Sequence, residues 1–301
     1  MSLTTSGTAR RQVPGGPGSG EPGPTAARLR LGAQLRLLRT AAGLTREEAA
    51  ARIRASAPKI SRMELGRTGV KQRDIGDLLD LYGLTGGPRR TELLTLARQA
   101  STPGWWTQYR DAVPHWFDHY LGLEQAAGLI QAYDMQFIPG LLQTGEYARA
   151  VFRLAGHLSE RQVEQHVRLR LERQRILHRS DPPRLWVILD EAVLRRPVGG
   201  TEVMRAQLRQ LGEAAERRYV TIQVLPFRAG GQPACGWPFT LLRFPGGDIP
   251  EVVYLELLDR ALYLSKPGDL AYYGDVLAHL AAEADPPIAS ALMLRHLRPD
   301  G

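Results

Sequence analysis

The sequence is poor in several features, and each scarcity excludes a class of protein. Its 301 residues include one cysteine, Cys235, so no disulfide can form within the chain, and we expect a reducing, cytoplasmic environment. No uncharged apolar run approaches the ~18 residues that a membrane span needs, so we expect no contact with a membrane. The N-terminus also lacks the apolar stretch of a signal peptide. With 43% apolar and 23% charged residues, the composition is that of a globular protein of about two domains.

The net charge of +8 comes from the first third of the chain. Residues 1–100 carry 17 basic and 8 acidic side chains, whereas residues 101–301 carry 22 basic and 23 acidic side chains. Residues 28–73 alone carry 12 basic and 3 acidic side chains. A basic block of domain size is typical of nucleic-acid-binding proteins. A base composition that favours arginine explains why only 3 basic residues are lysines, but not why acidic residues are scarce in this segment.

Changes of pattern along the chain predict four segments. Residues 1–25 include 17 Gly, Pro, Ser or Thr, and we expect a disordered tail because so few apolar groups cannot offset the ordering entropy. Residues 26–102 show five short helical patterns and predict an all-α domain. Residues 103–290 predict an α+β domain with a mainly antiparallel sheet, and residues 291–301 a C-terminal tail. In the second domain we predict helices near 120–133, 144–154, 159–178, 202–217 and 269–283, and strands near 184–190, 219–225, 239–244, 252–256 and 261–264.

Two of the short helices have the spacing of a helix-turn-helix. Thr45 and Glu48 form a capping-box pattern at the start of the first helix, and Ser56 and Gly66 bracket the second. Such a pair on a basic block places its second helix in the major groove of DNA. The candidate DNA-contacting residues are Arg46, Ser56, Lys59, Ser61, Arg62, Arg67 and Lys71.

These candidates differ in what their side chains can contact. Arg62 is long enough to reach the O6 and N7 atoms of a guanine, and Lys59 a base edge or a phosphate. The Ser56 hydroxyl and the free N–H groups beside it suit a phosphate. Arg46 lies at the start of the first helix, and Arg67 and Lys71 follow the second helix. All three suit phosphate contacts that hold the protein in register without reading sequence.

The residues of this region resemble the XRE/Cro/C1-type helix-turn-helix. The resemblance is carried by GLTREEAA at 43–50 and ISRMELGR at 60–67. Arg46 stands where that family usually has glutamine, and Arg54 where it usually has the glycine of the turn. Further segments, among them IPGLLQTGEYAR at 138–149 and LDEAVLRRPVGG at 189–200, extend the similarity over residues 28–290 to the antitoxin-like, WhiJ-like group of actinobacterial regulators.

This resemblance implies a transcriptional regulator, with a C-terminal domain that dimerises, senses a ligand or docks a partner. Its expected partners are double-stranded DNA carrying a pseudo-palindromic operator, a second copy of the chain, and a small BldB-like protein. An enzyme with a helix-turn-helix targeting module, and a protein-interaction module, remain as alternatives.

The C-terminal domain offers two groups of candidate ligand or partner residues: Gln143, Thr144 and Tyr147 at a loop-to-helix junction, and Asp190, Glu191 and Arg195 at a strand end. Thr144 suits a helix cap or a pocket wall. Asp190 and Glu191 could form an acid/base pair, but such residues more often serve as a helix cap and as a partner in an ion pair.

His115 and His119 have the spacing of two helical metal ligands, but Trp116 stands where a metalloprotease needs glutamate. We therefore predict no catalytic residues, no metal and no cofactor.

Overall fold

The computed structural model describes residues 23–231, 237–247 and 249–297. Over residues 24–100 the chain forms the five predicted helices. They are α1 (Pro24–Ala41), α2 (Arg46–Arg52), α3 (Ala57–Glu64), α4 (Gln72–Leu81) and α5 (Pro88–Ala100). Their apolar faces enclose one core, to which every helix contributes; its fully buried members include Leu31, Leu35, Ala49, Ile60, Ile75, Leu79 and Ala97. The prediction of an all-α fold for this N-terminal region is confirmed.

The rest of the described chain combines helices with strands. After a 3-10 helix (Trp105–Ala112) come α6 (His115–Ala126), α7 (Gly145–Arg153), α8 (Glu160–Arg173), α9 (Glu191–Arg195), α10 (Thr201–Ala215), α11 (Pro267–Glu283) and α12 (Pro287–His296). The strands are β1 (Leu129–Asp134), β2 (Arg184–Asp190), β3 (Val220–Leu225), β4 (Phe239–Arg243), β5 (Val252–Glu256) and β6 (Ala261–Leu264). None of the helices in the described ranges combines the length and the apolar character that crossing a membrane requires.

The strands form one mixed sheet in the order β3-β2-β1-β4-β5-β6. The pairs β1–β2 and β2–β3 are parallel, whereas β1–β4, β4–β5 and β5–β6 are antiparallel. The predicted α+β class is confirmed, and the expectation of a mainly antiparallel sheet is approximately right. The parallel pairs arise because helices follow β1 and β2 and return the chain to the same end of the sheet.

Both faces of the sheet are covered, and alternate residues of each strand enter different cores. On β5, Val252 and Tyr254 face the larger core, while Val253 and Leu255 pack with residues of α11. Residues of α6, α10 and α12 belong to the larger core. This double coverage explains why β2 and β5 are apolar at almost every position.

Three boundaries differ from those predicted. The predicted helix at 120–133 is wrong in its second half, since α6 ends at Ala126 and Leu129–Asp134 form β1 between β2 and β4. Gly128 separates the two elements, and only pairing with two neighbours makes this short segment a strand. The predicted C-terminal tail contains the end of α12, whose Leu294 is completely buried. The first helix begins at Pro24, and the remainder of the predicted N-terminal tail, like Cys235, lies outside the described residues.

The helix α1 contributes to both halves of the molecule. Its residues Ala26 and Leu29 belong to the larger core of the C-terminal half, while Ala27 and Leu31 belong to the helical core. It also packs closely on α6: a Cβ atom on Gly122 would lie 1.9 Å from the hydroxyl oxygen of the buried Thr25. The helix-turn-helix is therefore joined to the second half through a packed helix pair.

Candidate nucleic-acid interface

Local sequence signals build the α2–turn–α3 unit. The Glu48 amide donates to the Thr45 hydroxyl at 3.2 Å, and Oε2 of Glu48 accepts from the Thr45 amide at 2.7 Å, so the predicted capping box is present. The turn places Arg54 at φ 51°, a left-handed conformation that glycine adopts at less cost. Ser56 occupies the N-cap position of α3, but its hydroxyl makes no capping hydrogen bond. Ser56 and Pro58 are exposed, whereas Ala57 and Lys59 in the same turn are half-buried.

A buried ion pair fixes α3 against α1. Nε and Nη2 of Arg39 donate to the two carboxylate oxygens of Glu64 at 2.5 and 3.2 Å, and Nη1 donates to the Leu44 carbonyl at 2.7 Å. The hydrogen bond to Glu64 raises the pKa of Arg39. Ile60 and Met63 are buried beside it. Spacing along the chain does not predict this pair, although Glu64 lies within the ISRMELGR segment that carries the resemblance.

The opposite side of α3 is solvent-accessible. Ser56 and Arg62 are exposed, and Ser61 is half-buried. The side chain of Arg62 forms no hydrogen bond or ion pair with any residue in the described ranges. A long guanidinium side chain without a partner, on the exposed face of the second helix, has the freedom that a base contact requires.

Two of the predicted basic residues have protein partners. Nζ of Lys59 lies 3.0 Å from a carboxylate oxygen of Asp74 on α4, and its side chain is 34% exposed. Nε of Arg46 donates to Glu64 at 3.3 Å, and its side chain is 44% exposed. Both remain accessible, but a phosphate would have to compete with these carboxylates for their charges.

Arg67 and Lys71 are exposed in the segment between α3 and α4. Arg67 also lines a cavity of about 570 Å³ between the two halves, together with Arg28, Asp118 and His119. Burial, followed by the positive charges of Arg28 and Arg67, lowers the pKa of His119 to about 4. His119 is therefore neutral at physiological pH.

The candidate group at the loop-to-helix junction holds its own backbone in place. Thr144 caps α7 by accepting from the Tyr147 amide at 3.1 Å, and the buried Tyr147 hydroxyl accepts from the Ile138 amide at 3.2 Å. Gln143 donates to the Ile138 carbonyl at 2.7 Å and accepts from Nη1 of Arg170 at 2.6 Å. Gln143 is the member of this group that contacts a charged side chain.

The strand-end group is likewise engaged. Asp190 caps α9 by accepting from the Ala192 amide at 2.8 Å. One oxygen of Glu191 accepts from the Phe227 amide at 3.0 Å, and the other lies 3.0 Å from Nη2 of Arg195. In the described ranges no group of three or more His, Cys, Asp or Glu side chains is arranged to hold a metal ion.

Comparison with known protein families gives one match in the helical N-terminal region and one in the α+β region that follows it. A helix-turn-helix domain matches residues 30–93, which contain α2, α3 and the turn between them. A domain of unknown function (DUF5753) matches residues 117–296. No curated protein and no solved structure matches the chain. Since the second match covers more than half of the sequence, the chain belongs to the DUF5753 family, with a helix-turn-helix domain ahead of the family domain.

Proposed function

We propose that this protein is a sequence-specific DNA-binding transcriptional regulator that reads the major groove with α3. The observation that carries the proposal is Arg62, which is exposed and has no side-chain partner among the described residues. It lies on the outer face of a helix that Glu64 anchors from the inner face. Ser56, Ser61, Arg67 and Lys71 lie along the same helix or just after it and would contact base edges or phosphates. The concentration of positive charge in this domain supports binding to a polyanion.

The finer features of the proposal come from the resemblance to XRE regulators. The protein acts in the cytoplasm as a homodimer, so that two copies of α3 read half-sites about one helical turn apart in a pseudo-palindromic operator. It has an antitoxin-like role and pairs with a small BldB-like protein. The C-terminal domain is regulatory and serves dimerisation, ligand sensing or docking of that partner.

We favour a regulator over an enzyme because the candidate acid/base pair has other partners. Asp190 is used as a helix cap, and Glu191 is shared between a backbone amide and Arg195. These hydrogen bonds give both carboxylates a structural role that requires no substrate.

The test is to select genomic DNA fragments with the purified protein and to footprint the enriched sequences. The proposal predicts a recurrent protected site with two symmetry-related halves. Enrichment without a common sequence would leave only non-specific binding, and no enrichment at low salt would contradict DNA binding altogether. A protected site without internal symmetry would contradict the dimer alone.

A further inference from the structure

The C-terminal domain contains a cavity of about 810 Å³, which lies in the range of small-molecule sites. Its floor is the sheet face formed by alternate residues of β1 (Ile130, Ala132 and Asp134) and by neighbours on β4 and β5. Its other walls come from α6, α7 and α8 and from the segments that follow β1 and β5. Two small residues, Ala132 and Thr240, are direct partners on β1 and β4. Their size leaves the space that larger side chains would fill.

Aromatic rings make up much of the wall. They include Trp116, Phe117, Tyr120, Phe137, Phe152 and Tyr254. The rings of Tyr120 and Tyr254 lie 4.1 Å apart between centroids, which joins α6 to β5 across one side of the cavity. Such a wall favours a ligand with an apolar or aromatic body.

Arg170 of α8 supplies a positive charge to this wall. Its Nη1 donates to Gln143, and its guanidinium carbon lies 4.7 Å from the centre of the Phe152 ring. It forms no ion pair with a carboxylate in the described ranges. Burial, followed by the charge of Arg173, lowers the pKa of Arg170 to about 10, so it stays protonated at neutral pH. A guanidinium with one amide partner retains donors for an anion.

The acidic groups around the cavity form no ion pair with Arg170 in the described part of the chain, although the charges of Glu256 and Glu124 act on it. Glu124 is neutralised by Arg173, whose Nε and Nη2 donate to it at 2.8 and 2.7 Å. Glu256 is exposed at the end of β5 and accepts from the Tyr254 hydroxyl at 3.0 Å. Burial, followed by the charge of Glu256, raises the pKa of Asp134 to about 7, so this group is partly neutral. The remaining charged residues of the lining, Asp259 and Arg260, contact each other on an exposed turn.

We propose that this cavity binds a small organic acid, with its apolar or aromatic body between the sheet and helices α6–α8 and its acidic group on the guanidinium of Arg170. The inference rests on the proposed regulatory role of the C-terminal domain, but it does not depend on DNA recognition by α3. Asp134 lines the same cavity, and its carboxyl group, which forms no hydrogen bond or ion pair with another described residue, is placed to bond a polar group of the same ligand.

A pair of fluorescent probes separates binding of the apolar body in the cavity from binding of the acidic group by Arg170. One is 8-anilinonaphthalene-1-sulfonate, an aromatic anion, and the other is N-phenyl-1-naphthylamine, which has the same rings without the sulfonate. Titrated into the full-length protein, the anion should bind saturably at one site per chain. Arg170→Gln should weaken the anion about 10-fold or more, because a charge-assisted hydrogen bond is lost, and leave the neutral probe within about twofold. Arg168→Gln, an exposed position on the same helix, should change neither affinity.

Ala132→Leu is a second variant that tests whether the probes bind in the cavity, because the larger side chain fills its floor. If Arg170→Gln does not fold, a folded Ala132→Leu variant that no longer binds either probe supports the site. The absence of saturable binding to the wild type, or binding unaffected by Ala132→Leu, would overturn the proposed cavity site. Equal affinity of the anion for wild type and folded Arg170→Gln would overturn the acid specificity. Footprinting of the DNA is a separate measurement, so its failure would not be confused with these outcomes.

Discussion

At the scale of single residues, Arg39 and Glu64 join α1 to α3 through an ion pair that is almost completely buried. Replacing Glu64 by glutamine leaves the Arg39 guanidinium buried without a counter-charge. We expect the free energy of unfolding to fall by ~3–5 kcal/mol, the usual cost of removing one partner of a buried pair. Urea denaturation followed by circular dichroism measures it.

The matched control is Glu160→Gln, which removes the carboxylate of an ion pair with Arg153 at the surface of α8. Exposed pairs contribute little, so this variant should unfold at nearly the wild-type urea concentration. Equal loss of stability in the two variants would show that burial of Glu64 does not determine its contribution.

Asp134 gives the protein a predictable dependence on pH. Its pKa is about 7 in the folded protein, above the ordinary aspartate value of 3.8, so folding is favoured while the group is protonated. This contribution is complete below pH 3.8 and is lost as the pH rises through about 7. Wild type should therefore lose more stability than Asp134→Asn between pH 5.5 and pH 8, by urea denaturation. Parallel curves for the two proteins would contradict the raised pKa of Asp134.

At the scale of helices and strands, the position of α3 depends on how closely α1 approaches it. A Cβ atom on Gly32 would lie 2.5 Å from the Met63 carbonyl oxygen and 2.7 Å from that of Glu64. Gly32→Ala therefore forces the two helices apart, and we expect a loss of ~1–3 kcal/mol in stability, as for other overpacked sites. DNA affinity should fall as well, because α3 moves with its backbone. Thermal unfolding and binding titrations measure the two effects.

Gly76→Ala in α4 is the matched control. Its added Cβ meets only one atom, at 4.0 Å, the end of the flexible Arg90 side chain. Alanine is the better helix former, so this variant should be more stable by ~0.5–1 kcal/mol. A stabilising effect of Gly32→Ala would contradict the close approach of α1 and α3.

The helices of the first half could be predicted from sequence because their signals are local. The capping box, the glycine stops and the helical spacing of leucines predicted α1–α5. Apolar segments bounded by Gly, Pro or Asp predicted the ends of β2, β5 and β6. The strand β1 could not be predicted in this way, because its six residues become a strand only between β2 and β4. The same holds for α12, whose Leu294 is buried by elements far away in the chain.

The candidate site likewise combines features that local sequence predicts with features that depend on contacts between distant parts of the chain. The exposed position of Arg62 follows from helical spacing alone. The partners of Lys59 and Arg46 depend on α4 and on Glu64, so spacing along the chain could not predict them. The cavity beside Arg170 could not be predicted from the sequence either, since its walls come from helices and strands between residues 114 and 260.

At the scale of the whole molecule, the two halves divide the charge and are joined by α1. The basic half carries the exposed face of α3, and the nearly neutral half carries the larger cavity. Trp116 lines both that cavity and the cavity that contains Arg67, and its carbonyl accepts from the Tyr263 hydroxyl at 2.5 Å. One side chain of the proposed ligand site therefore lines the same cavity as a residue of the proposed DNA interface.

The most direct test of DNA reading by α3 compares Arg62→Ala with wild type on a selected operator and on a scrambled duplex, by fluorescence anisotropy. Arg161→Ala, an exposed arginine on α8, serves as the control. Arg62→Ala should lose ~1–3 kcal/mol of binding free energy on the operator and almost none on the scrambled duplex, while the control should match wild type on both. Equal losses on the two duplexes would make Arg62 a phosphate contact, and no loss on either would contradict reading of DNA by α3.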